Sequence, residues 1–359
     1  MRIAFVADPA SVHVARWVRE FERRGITCRL YGPASDEQEW IVEATPIGRP
    51  GLYGVHSTTA LVADLREKLA RFRPDLIHAH FALNYGTWAA LSGTRPMVLT
   101  CMGTDVLTAP AKSLIARWKV SAALASADLV TVNAAHMGAA AVRLGAHEER
   151  IVRIVQGVDT DLYAAPDRSD RAGDPIILST RMLAPVYRLD DVLRAAALLA
   201  EQGRRFRLHL AGSGPLEDEL RALASRLGVA DHVKFLGLLK GDEALATAYQ
   251  QADIGISASA SDGASVAVLE AMSCGLPIVA SDIPANREWL SQGSGNFLVP
   301  VGDVPAMAAA LARLIDDRAL RAAARDRNRR IVCQSATWST EMDRMESHYR
   351  RLSARPDRP

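Results

Sequence analysis

The chain has 359 residues, of which 49% are hydrophobic and 23% are charged, and its net charge is +2. This balance is typical of a folded globular protein, the length favours two domains over one, and the small charge argues against nucleic acid as the main partner. The four cysteines, Cys28, Cys101, Cys274 and Cys333, have no paired spacing, which predicts reduced thiols and no zinc site.

Apolar, strand-like runs alternate with helical patterns from end to end, which predicts parallel α/β sheets. In the first half the predicted helices include residues 11–24, 58–71 and 113–126. The predicted strands of this half are 2–7, 28–32, 76–80, 97–101, 129–132 and 151–155.

The alternation breaks at YAAPDRSDRAGDP, residues 163–175, where polar residues, two prolines and a glycine predict a linker. The predicted architecture is therefore α/β with two doubly wound, Rossmann-like domains, 1–165 and 166–337, and a final helix at about 338–359 that packs back onto the first domain. In such sheets, ligands bind beyond the carboxyl ends of the strands. The predicted strands of the second half are 175–179, 207–212, 233–237, 253–257, 277–281 and 295–300.

The stretch SDGASVAVLEAMSCGLPIVASD, residues 261–282, contains a predicted helix start after a strand. We expect this helix to begin near Ser265 and to end before Gly275, following a small, polar loop at 258–264 whose backbone can approach a ligand. The first amides of a helix have no partner within it, so those of Ser265 and Val266 would suit a phosphate.

Two carboxylates flank this helix start. Asp262 precedes it, and Glu270 lies about one and a half turns into the helix among apolar residues. We expect the loop to curl back so that both carboxylates face one pocket, where they can accept protons from sugar and ribose hydroxyls. The alternative is that Asp262 is only a turn residue and that Glu270 lies on a solvated face.

The same stretch resembles a motif of the retaining glycosyltransferases of family 4, which have the two-domain GT-B fold. In that family an acidic residue, seven residues and a glutamate precede AMACGxPVVAS. Here Asp262, seven residues and Glu270 precede AMSCGLPIVASD, with aspartate where glutamate is usual. The resemblance extends along most of the chain, through VQGVDTDLY, LAGSGPL, VKFLG, NREWL and GNFLVP in that order.

The resemblance implies a nucleotide-diphosphate sugar as co-substrate, with no further cofactor and no metal. Glu270 would bind the ribose hydroxyls, and Asp262 would bind hydroxyls of the donor sugar. The other donor-binding positions that the resemblance implies are Gly212, Leu236, Gly237, Ser265 and Val266. Of these, Leu236 and Gly237 would lie near the base, and the amides of Ser265 and Val266 would meet the diphosphate.

Two cations neutralise the leaving diphosphate in the family, an arginine after the first strand of the second domain and a lysine five residues later. Arg181 matches the arginine, but Val186 stands at the lysine position. The nearest cation is Arg188, which the loop would have to bring inward; the alternative is that Arg188 only begins a helix. Arg181, Arg188 and Asp262 are the predicted catalytic residues.

The first domain departs from the family at the segment TCMGTDVL. Met102 stands where the family often has a histidine that contacts the donor sugar, and a thioether cannot donate a hydrogen bond. The three residues that follow keep the family pattern, and we expect them at the cleft, near the acceptor; they are Gly103, Thr104 and Asp105.

Three further residues of the first domain are expected to face the cleft. Ser11 and His13 begin the first helix, in a segment that replaces the family's glycine-rich loop. His80 lies at the carboxyl end of a strand and is expected to reach the acceptor, whereas His78 is expected to be a structural residue. Two histidines without a third ligand do not predict a metal site.

The chain begins with MRIAFVAD, a strand and a turn rather than a signal peptide, and it has no run of about eighteen apolar residues. We therefore expect a cytoplasmic protein. The basic, aromatic stretch AKSLIARWKV, residues 111–120, fits a weak peripheral contact with the inner membrane face, an anionic acceptor, or a solvated helix face.

The leading interpretation is an enzyme that moves a sugar from a nucleotide-diphosphate donor to an acceptor hydroxyl with retention of the anomeric configuration. The acceptor would be a glycan, a lipid-linked molecule or a small molecule. Two alternatives stay open at this point. One is a nucleotide-sugar epimerase of the same fold, and the other is a non-catalytic protein that binds nucleotide sugars or glycans.

Overall fold

A computed structural model of the chain describes residues 1–33, 42–48, 55–166, 173–290 and 295–354. The chain forms two compact units, the first containing Met1–Val155 and Met342–Pro359 and the second containing Gln156–Glu341. The predicted linker at 163–175 lies partly outside the described residues. Of the helices in the described ranges, none is both long enough and apolar enough to cross a membrane.

The division between the units falls after Val155, earlier than the predicted boundary at residue 165. The segment that follows belongs to the second unit because its backbone pairs with the end of that unit. The Val158 amide donates to the Ala336 carbonyl at 2.8 Å, and the Trp338 amide donates to the Val158 carbonyl at 2.9 Å. The chain returns to the first unit only from Met342 onwards.

The first unit is built on a parallel sheet of seven strands, six of which coincide with the predicted ones to within two residues at each end. These strands are β1 (Arg2–Val6), β2 (Thr27–Pro33), β3 (Thr45–Ile47), β4 (Leu76–His80), β5 (Met97–Thr100), β6 (Leu129–Val132) and β7 (Ile151–Arg153). Their order is β3-β2-β1-β4-β5-β6-β7. The sequence analysis missed β3, a three-residue edge strand whose central residue is a proline and which has no apolar run.

Helices connect these strands, as expected for a parallel sheet. They are α1 (Val12–Arg23), α2 (Val55–Phe72), α3 (Thr87–Ser92), α4 (Thr104–Leu107), α5 (Ala109–Lys112), α6 (Leu114–Ser126) and α7 (Ala135–Arg143). The main core cluster lies on one face of the sheet and includes Leu65 and Leu69 of α2 and Val120 and Leu124 of α6. On the other face, Trp17 of α1 packs against His78 of β4. Burial on both faces explains why these strands are continuous apolar runs in the sequence.

The second unit is built on a parallel sheet of six strands, all of them predicted. They are β8 (Ile176–Ser179), β9 (Arg207–Ala211), β10 (Val233–Gly237), β11 (Ile254–Ser257), β12 (Ile278–Ser281) and β13 (Phe297–Val299). Their order is β10-β9-β8-β11-β12-β13. The order reverses between β8 and β11, which opens a crevice at their carboxyl ends.

Helices α8 to α14 surround this second sheet, and α15 follows them. They are α8 (Leu189–Glu201), α9 (Glu217–Arg226), α10 (Asp242–Gln251), α11 (Val266–Ser273), α12 (Pro284–Arg287), α13 (Val304–Asp316), α14 (Arg318–Ser335) and α15 (Trp338–Ser353). Two doubly wound α/β units of this kind are the fold class that the sequence predicted.

Candidate functional site

The candidate site lies at the carboxyl edge of the second sheet, where the strand order reverses. Arg181 follows β8, and the loop 258–264 follows β11, so both leave the sheet at the reversal. The Ala260 amide donates to the Val186 carbonyl at 2.8 Å, which ties the two loops together. This edge is the place where ligands bind in open α/β sheets.

Helix α11 begins and ends as the sequence predicted, from Val266 to Ser273. Ser265 precedes it in the left-handed region, with a φ of 49°, and is fully buried. Its hydroxyl donates to the Asn286 side-chain oxygen at 2.6 Å, and the Asn286 amide group donates to the Ser281 carbonyl at 2.8 Å. These contacts fix the start of α11 against β12. Diphosphate binding by the first amides of α11 stays a prediction.

Glu270 lies on the buried side of α11, with 8% of its surface exposed, and not on a solvated face. The Tyr249 hydroxyl lies 3.1 Å from one Glu270 carboxylate oxygen, 3.0 Å from the Ala267 carbonyl and 2.5 Å from the Thr180 hydroxyl. Burial, and next the negative charge of Glu270, raise the pKa of Tyr249 well above its usual value. The phenol therefore keeps its proton and can donate it to the carboxylate, which holds Glu270 in position.

Asp262 forms an ion pair with Arg181, so it is more than a turn residue. Its other carboxylate oxygen accepts a hydrogen bond from the Gly263 amide at 2.8 Å, and this contact shapes the loop as well. Arg181 is only 9% exposed; its Nε donates to the Ser257 hydroxyl at 3.2 Å, and the Tyr187 ring centre lies 5.4 Å from its guanidinium carbon. Arg181 is thus held from three sides.

Glycines bring the neighbouring loops close to Arg181. The Gly212 amide donates to the Gly237 carbonyl at 2.8 Å, which joins the ends of β9 and β10. A Cβ on Gly212 would lie 2.4 Å from the Arg181 carbonyl oxygen, and the φ of 151° at Gly212 disfavours any other residue. Leu236, beside Gly237, is half-buried. The predicted donor-binding residues of this edge are therefore neighbours, while their contacts with a base stay predicted.

Arg188 stands at the start of α8, where its side chain makes no capping bond. Its Nε donates to an Asp191 carboxylate oxygen at 2.5 Å, and this bond raises the pKa of Arg188. The residue that the loop places over Arg181 is Tyr187, and the Arg188 guanidinium instead approaches Gly302. A role for Arg188 as second cation stays a prediction, and it requires the arginine to leave Asp191.

In the first unit, Asp105 is buried with no exposed surface, and its carboxylate is bonded to the backbone. It accepts hydrogen bonds from the amides of Ala82 at 2.7 Å, Gly103 at 2.8 Å and Val106 at 3.1 Å. The carboxylate therefore shapes the loop instead of presenting itself to an acceptor. Thr104 beside it is exposed, and its contact with an acceptor stays a prediction.

The histidines of β4 are both buried. His78 has the structural role that was expected, because one ring nitrogen lies 2.5 Å from the Tyr349 hydroxyl and the other 2.7 Å from the Thr100 hydroxyl. His80 is 1% exposed, and burial lowers its pKa to about 3. It is a neutral ring packed edge-on against Trp17, with ring centres 5.0 Å apart. In this conformation His80 does not present its ring to an acceptor.

The other two predicted residues of this region lie at the start of α1. Ser11 is its N-cap and accepts a hydrogen bond from the Val14 amide at 3.4 Å. His13 is exposed, and its charge adds to the lowering of the pKa of His80. Among the described residues, no three histidine, cysteine, aspartate or glutamate side chains come together as a metal site.

Three residues of the second unit were missed in the sequence analysis: Thr180, Tyr249 and Asn286. Thr180 directly precedes the predicted Arg181, so its proximity had a signal in the sequence. Tyr249 is 21 residues from Glu270, a spacing that carries no local pattern, whereas Asn286 had a signal because it begins the NREWL segment. Only the packing of α10 and α12 against α11 brings them to the site.

Two protein-family models match the chain and together span most of it. The model described as Glycosyltransferase Family 4 matches residues 10–162, and the model described as Glycosyl transferases group 1 matches residues 166–331. The phosphatidyl-myo-inositol mannosyltransferase of Mycobacterium leprae is 28% identical over 327 residues, which are 86% of this chain and 84% of the relative. Several further curated relatives are 30–35% identical, and the chain spans 32–60% of their length.

Solved structures match the chain over nearly its whole length. Sucrose-phosphate synthase from Thermosynechococcus elongatus has a TM-score of 0.82 and 20% identity, covering 99% of both chains. HepE of Anabaena, solved in complex with UDP, has a TM-score of 0.80 and 21% identity, covering 98% of this chain and all of its own. At these identities the likeness concerns the fold.

Proposed function

The chain belongs to the family 4 glycosyltransferases and has the GT-B fold, and from this premise we propose that it transfers a sugar from a nucleoside-diphosphate sugar to an acceptor hydroxyl with retention of the anomeric configuration. The observation that carries the proposal is the cluster at the carboxyl edge of the second sheet. There, one buried arginine and two carboxylates lie on loops and a helix that meet where the strand order reverses.

Glu270 is the proposed ribose-binding residue. A carboxylate accepts two hydroxyl protons, and its hydrogen bonds to hydroxyls are stronger than those of a neutral acceptor. The burial of Glu270 and the hydrogen bond from Tyr249 support this role, because they fix the carboxylate before the ligand arrives. Less conformational freedom is then lost on binding.

Arg181 is the proposed cation for the leaving diphosphate. Negative charge grows on the diphosphate as the sugar departs, so a fixed cation beside it favours the transition state over the ground state. In the structure this charge is neutralised by Asp262. We infer that the diphosphate takes the place of Asp262 on Arg181, which would free the Asp262 carboxylate for the hydroxyls of the donor sugar.

No metal and no further cofactor take part in the proposed reaction. The charge on the diphosphate would be met by Arg181, by Arg188 once it leaves Asp191, and by the first amides of α11. The donor phosphate would itself accept the proton of the acceptor hydroxyl, so that no covalent intermediate with the protein is needed. This assignment makes activity independent of added divalent ions.

The proposed acceptor is a glycan, a lipid-linked molecule or a small molecule with a free hydroxyl. The relative from Mycobacterium leprae, a phosphatidyl-myo-inositol mannosyltransferase, supports an inositol-containing acceptor as the first choice for a test. We propose that the exposed residues Thr104 and His13 of the first unit contact the acceptor, and that the protein acts in the cytoplasm.

The test is a screen of radiolabelled UDP-, GDP- and ADP-sugars with inositol-containing and glycan acceptors. The expected result is a labelled product. NMR coupling constants should show that its new glycosidic bond has the same anomeric configuration as the donor. Inversion at the anomeric carbon would refute retention. Conversion of the donor to an epimer would identify an epimerase, and tight binding without turnover would identify a binding protein.

A further inference from the structure

The helix α6 of the first unit is apolar on two opposite sides. Its inner side is buried in the unit and consists of Ala116, Val120, Ala123 and Leu124. Its outer side carries three large apolar side chains that are among the most exposed of the described residues: Leu114 at 84%, Ile115 at 70% and Trp118 at 69%. A surface helix ordinarily has polar residues on its outer side. An apolar patch in that position marks a binding surface.

These three side chains form one continuous face. At about 100° per residue, Leu114 and Trp118 lie 40° apart on the helix, and Ile115 lies 60° beyond Trp118. The next turns continue the face with Ala122 and Ala125, which are small and exposed. We call this surface, Leu114, Ile115 and Trp118 with the two alanines, the outer face of α6.

Positive charges border the outer face of α6. Arg117 and Lys119 lie on either side of Trp118 around the helix, and Lys112 precedes the helix. Arg117 and Lys112 are exposed, whereas Lys119 is half-buried. Residues 106–127 contain no aspartate or glutamate, so nothing in this segment neutralises the three cations. An apolar stripe with cations on both sides matches the boundary between acyl chains and anionic headgroups.

We propose that the outer face of α6 docks the protein onto a membrane that contains anionic phospholipid. Leu114, Ile115 and Trp118 enter the headgroup region, where the ring of a tryptophan is favoured because one edge is apolar and the other carries an N–H donor. Arg117 and Lys112 bind phosphate oxygens of the lipid. The helix lies on the membrane and does not span it, in keeping with its 13 residues.

A second copy of the chain is a poorer occupant of this face. A symmetric contact would place the Arg117 and Lys119 borders of the two copies near each other, and like charges destabilise such a contact. Three large side chains also fall far short of the roughly 20–30 residues a side that stable protein interfaces use. Both arguments favour a lipid surface.

The test is flotation of the full-length protein with vesicles of phosphatidylcholine, with and without phosphatidylglycerol. Neither nucleotide nor acceptor is added, so the result does not depend on the proposed enzymatic function. The protein should float with the anionic vesicles, and more weakly at high salt, because salt screens the cations. The double variant Leu114→Ser, Trp118→Ser should bind them at least about tenfold more weakly.

Two control variants make the test specific. Leu91→Ser removes another exposed apolar side chain of the same unit, and Arg143→Glu reverses another exposed charge; both should bind like the parent protein. Arg117→Glu should weaken binding to anionic vesicles only. Since the replaced side chains are exposed, circular dichroism should show unchanged folding of all variants.

The proposal is overturned if the parent protein floats with none of the vesicles, or if the double variant floats as well as Leu91→Ser. It is also overturned if the parent protein forms a dimer in solution that the double variant abolishes, because a second copy then covers the face. Equal binding to neutral and anionic vesicles would refute the role of the cations.

Discussion

The replacement of Glu270 by alanine tests the proposed nucleotide site most directly. The carboxylate is 8% exposed and its partner is the Tyr249 phenol, which also lies 3.0 Å from the Ala267 carbonyl. The phenol therefore keeps an acceptor when Glu270 is shortened, and no buried donor is orphaned, so the fold should survive. Loss of a charged hydrogen-bond partner should weaken nucleotide binding by about 1.5–3 kcal/mol, which is about 10- to 150-fold in the dissociation constant.

Isothermal calorimetry with the nucleoside diphosphate that the donor screen identifies measures this effect. The same titration with the 2′,3′-dideoxy nucleotide isolates the ribose hydroxyls: the parent protein should bind it as weakly as Glu270→Ala binds either ligand. Glu219→Ala, which removes an exposed glutamate of α9, is the matched control and should bind normally. If the substitution Glu270→Ala raises the dissociation constants of the ribose and the dideoxy nucleotide by the same factor, Glu270 does not contact the ribose. Unchanged affinity for both refutes any contact.

Four other predictions follow from the contacts of the site and of the first unit. Tyr249→Phe removes the phenol that holds Glu270, so calorimetry should show nucleotide affinity reduced by roughly three- to tenfold with an unchanged circular dichroism spectrum; unchanged affinity would exclude the positioning role. Arg181→Ala should lower kcat on the order of a hundredfold and alter the donor KM less, with partial recovery in Arg181→Lys; a raised KM with an intact kcat would mean that Arg181 binds donor and transition state equally. Transfer should continue in excess chelator, and a loss that Mn²⁺ restores would contradict the assignment of charge to arginines and amides. The pKa of His80 is about 3 in the folded chain against 6.5 as the ordinary value, so the unfolded chain takes up this proton first and stability is lost as the pH falls below about 6.5. Urea unfolding at pH 7 and pH 5 should therefore show a smaller loss for His80→Leu than for the parent, by about 2 kcal/mol in all, because the slope of about 1.4 kcal/mol per pH unit applies only below about pH 6.5. Equal losses would refute the assignment.

The ion pair between Arg181 and Asp262 also affects how the kinetic variants are interpreted. Removing Arg181 leaves a partly buried carboxylate without its cation, which destabilises the loop after β11. Asp262→Asn keeps the shape of that loop and takes away only the charge. Comparing the two variants separates the loss of the cation at the diphosphate from the loss of the loop conformation.

The alternation of strands and helices and the start of α11 could be predicted from the sequence alone. Parallel strands covered on both faces must be continuous apolar runs, so twelve of the thirteen strands had a local signal. The small, polar loop at 258–264 and the apolar run after Ser265 likewise marked the helix, and with it the positions of Asp262 and Glu270. The exception, β3, is a three-residue edge strand with a central proline, too short to give an apolar run.

Only the tertiary structure decided which of these residues touch. Arg181 meets Asp262 across 81 residues of sequence, and Tyr249 meets Glu270 across 21, because the strand order places β8 beside β11 and packs α10 against α11. The sequence left open whether Arg188 turns toward the diphosphate or only begins a helix, and the structure shows it bonded to Asp191, three residues away on the first turn of that helix. Local periodicity specifies which segments form strands and helices, whereas contacts at the end of a sheet depend on the order in which distant strands assemble, and a single sequence carries no local pattern for that order.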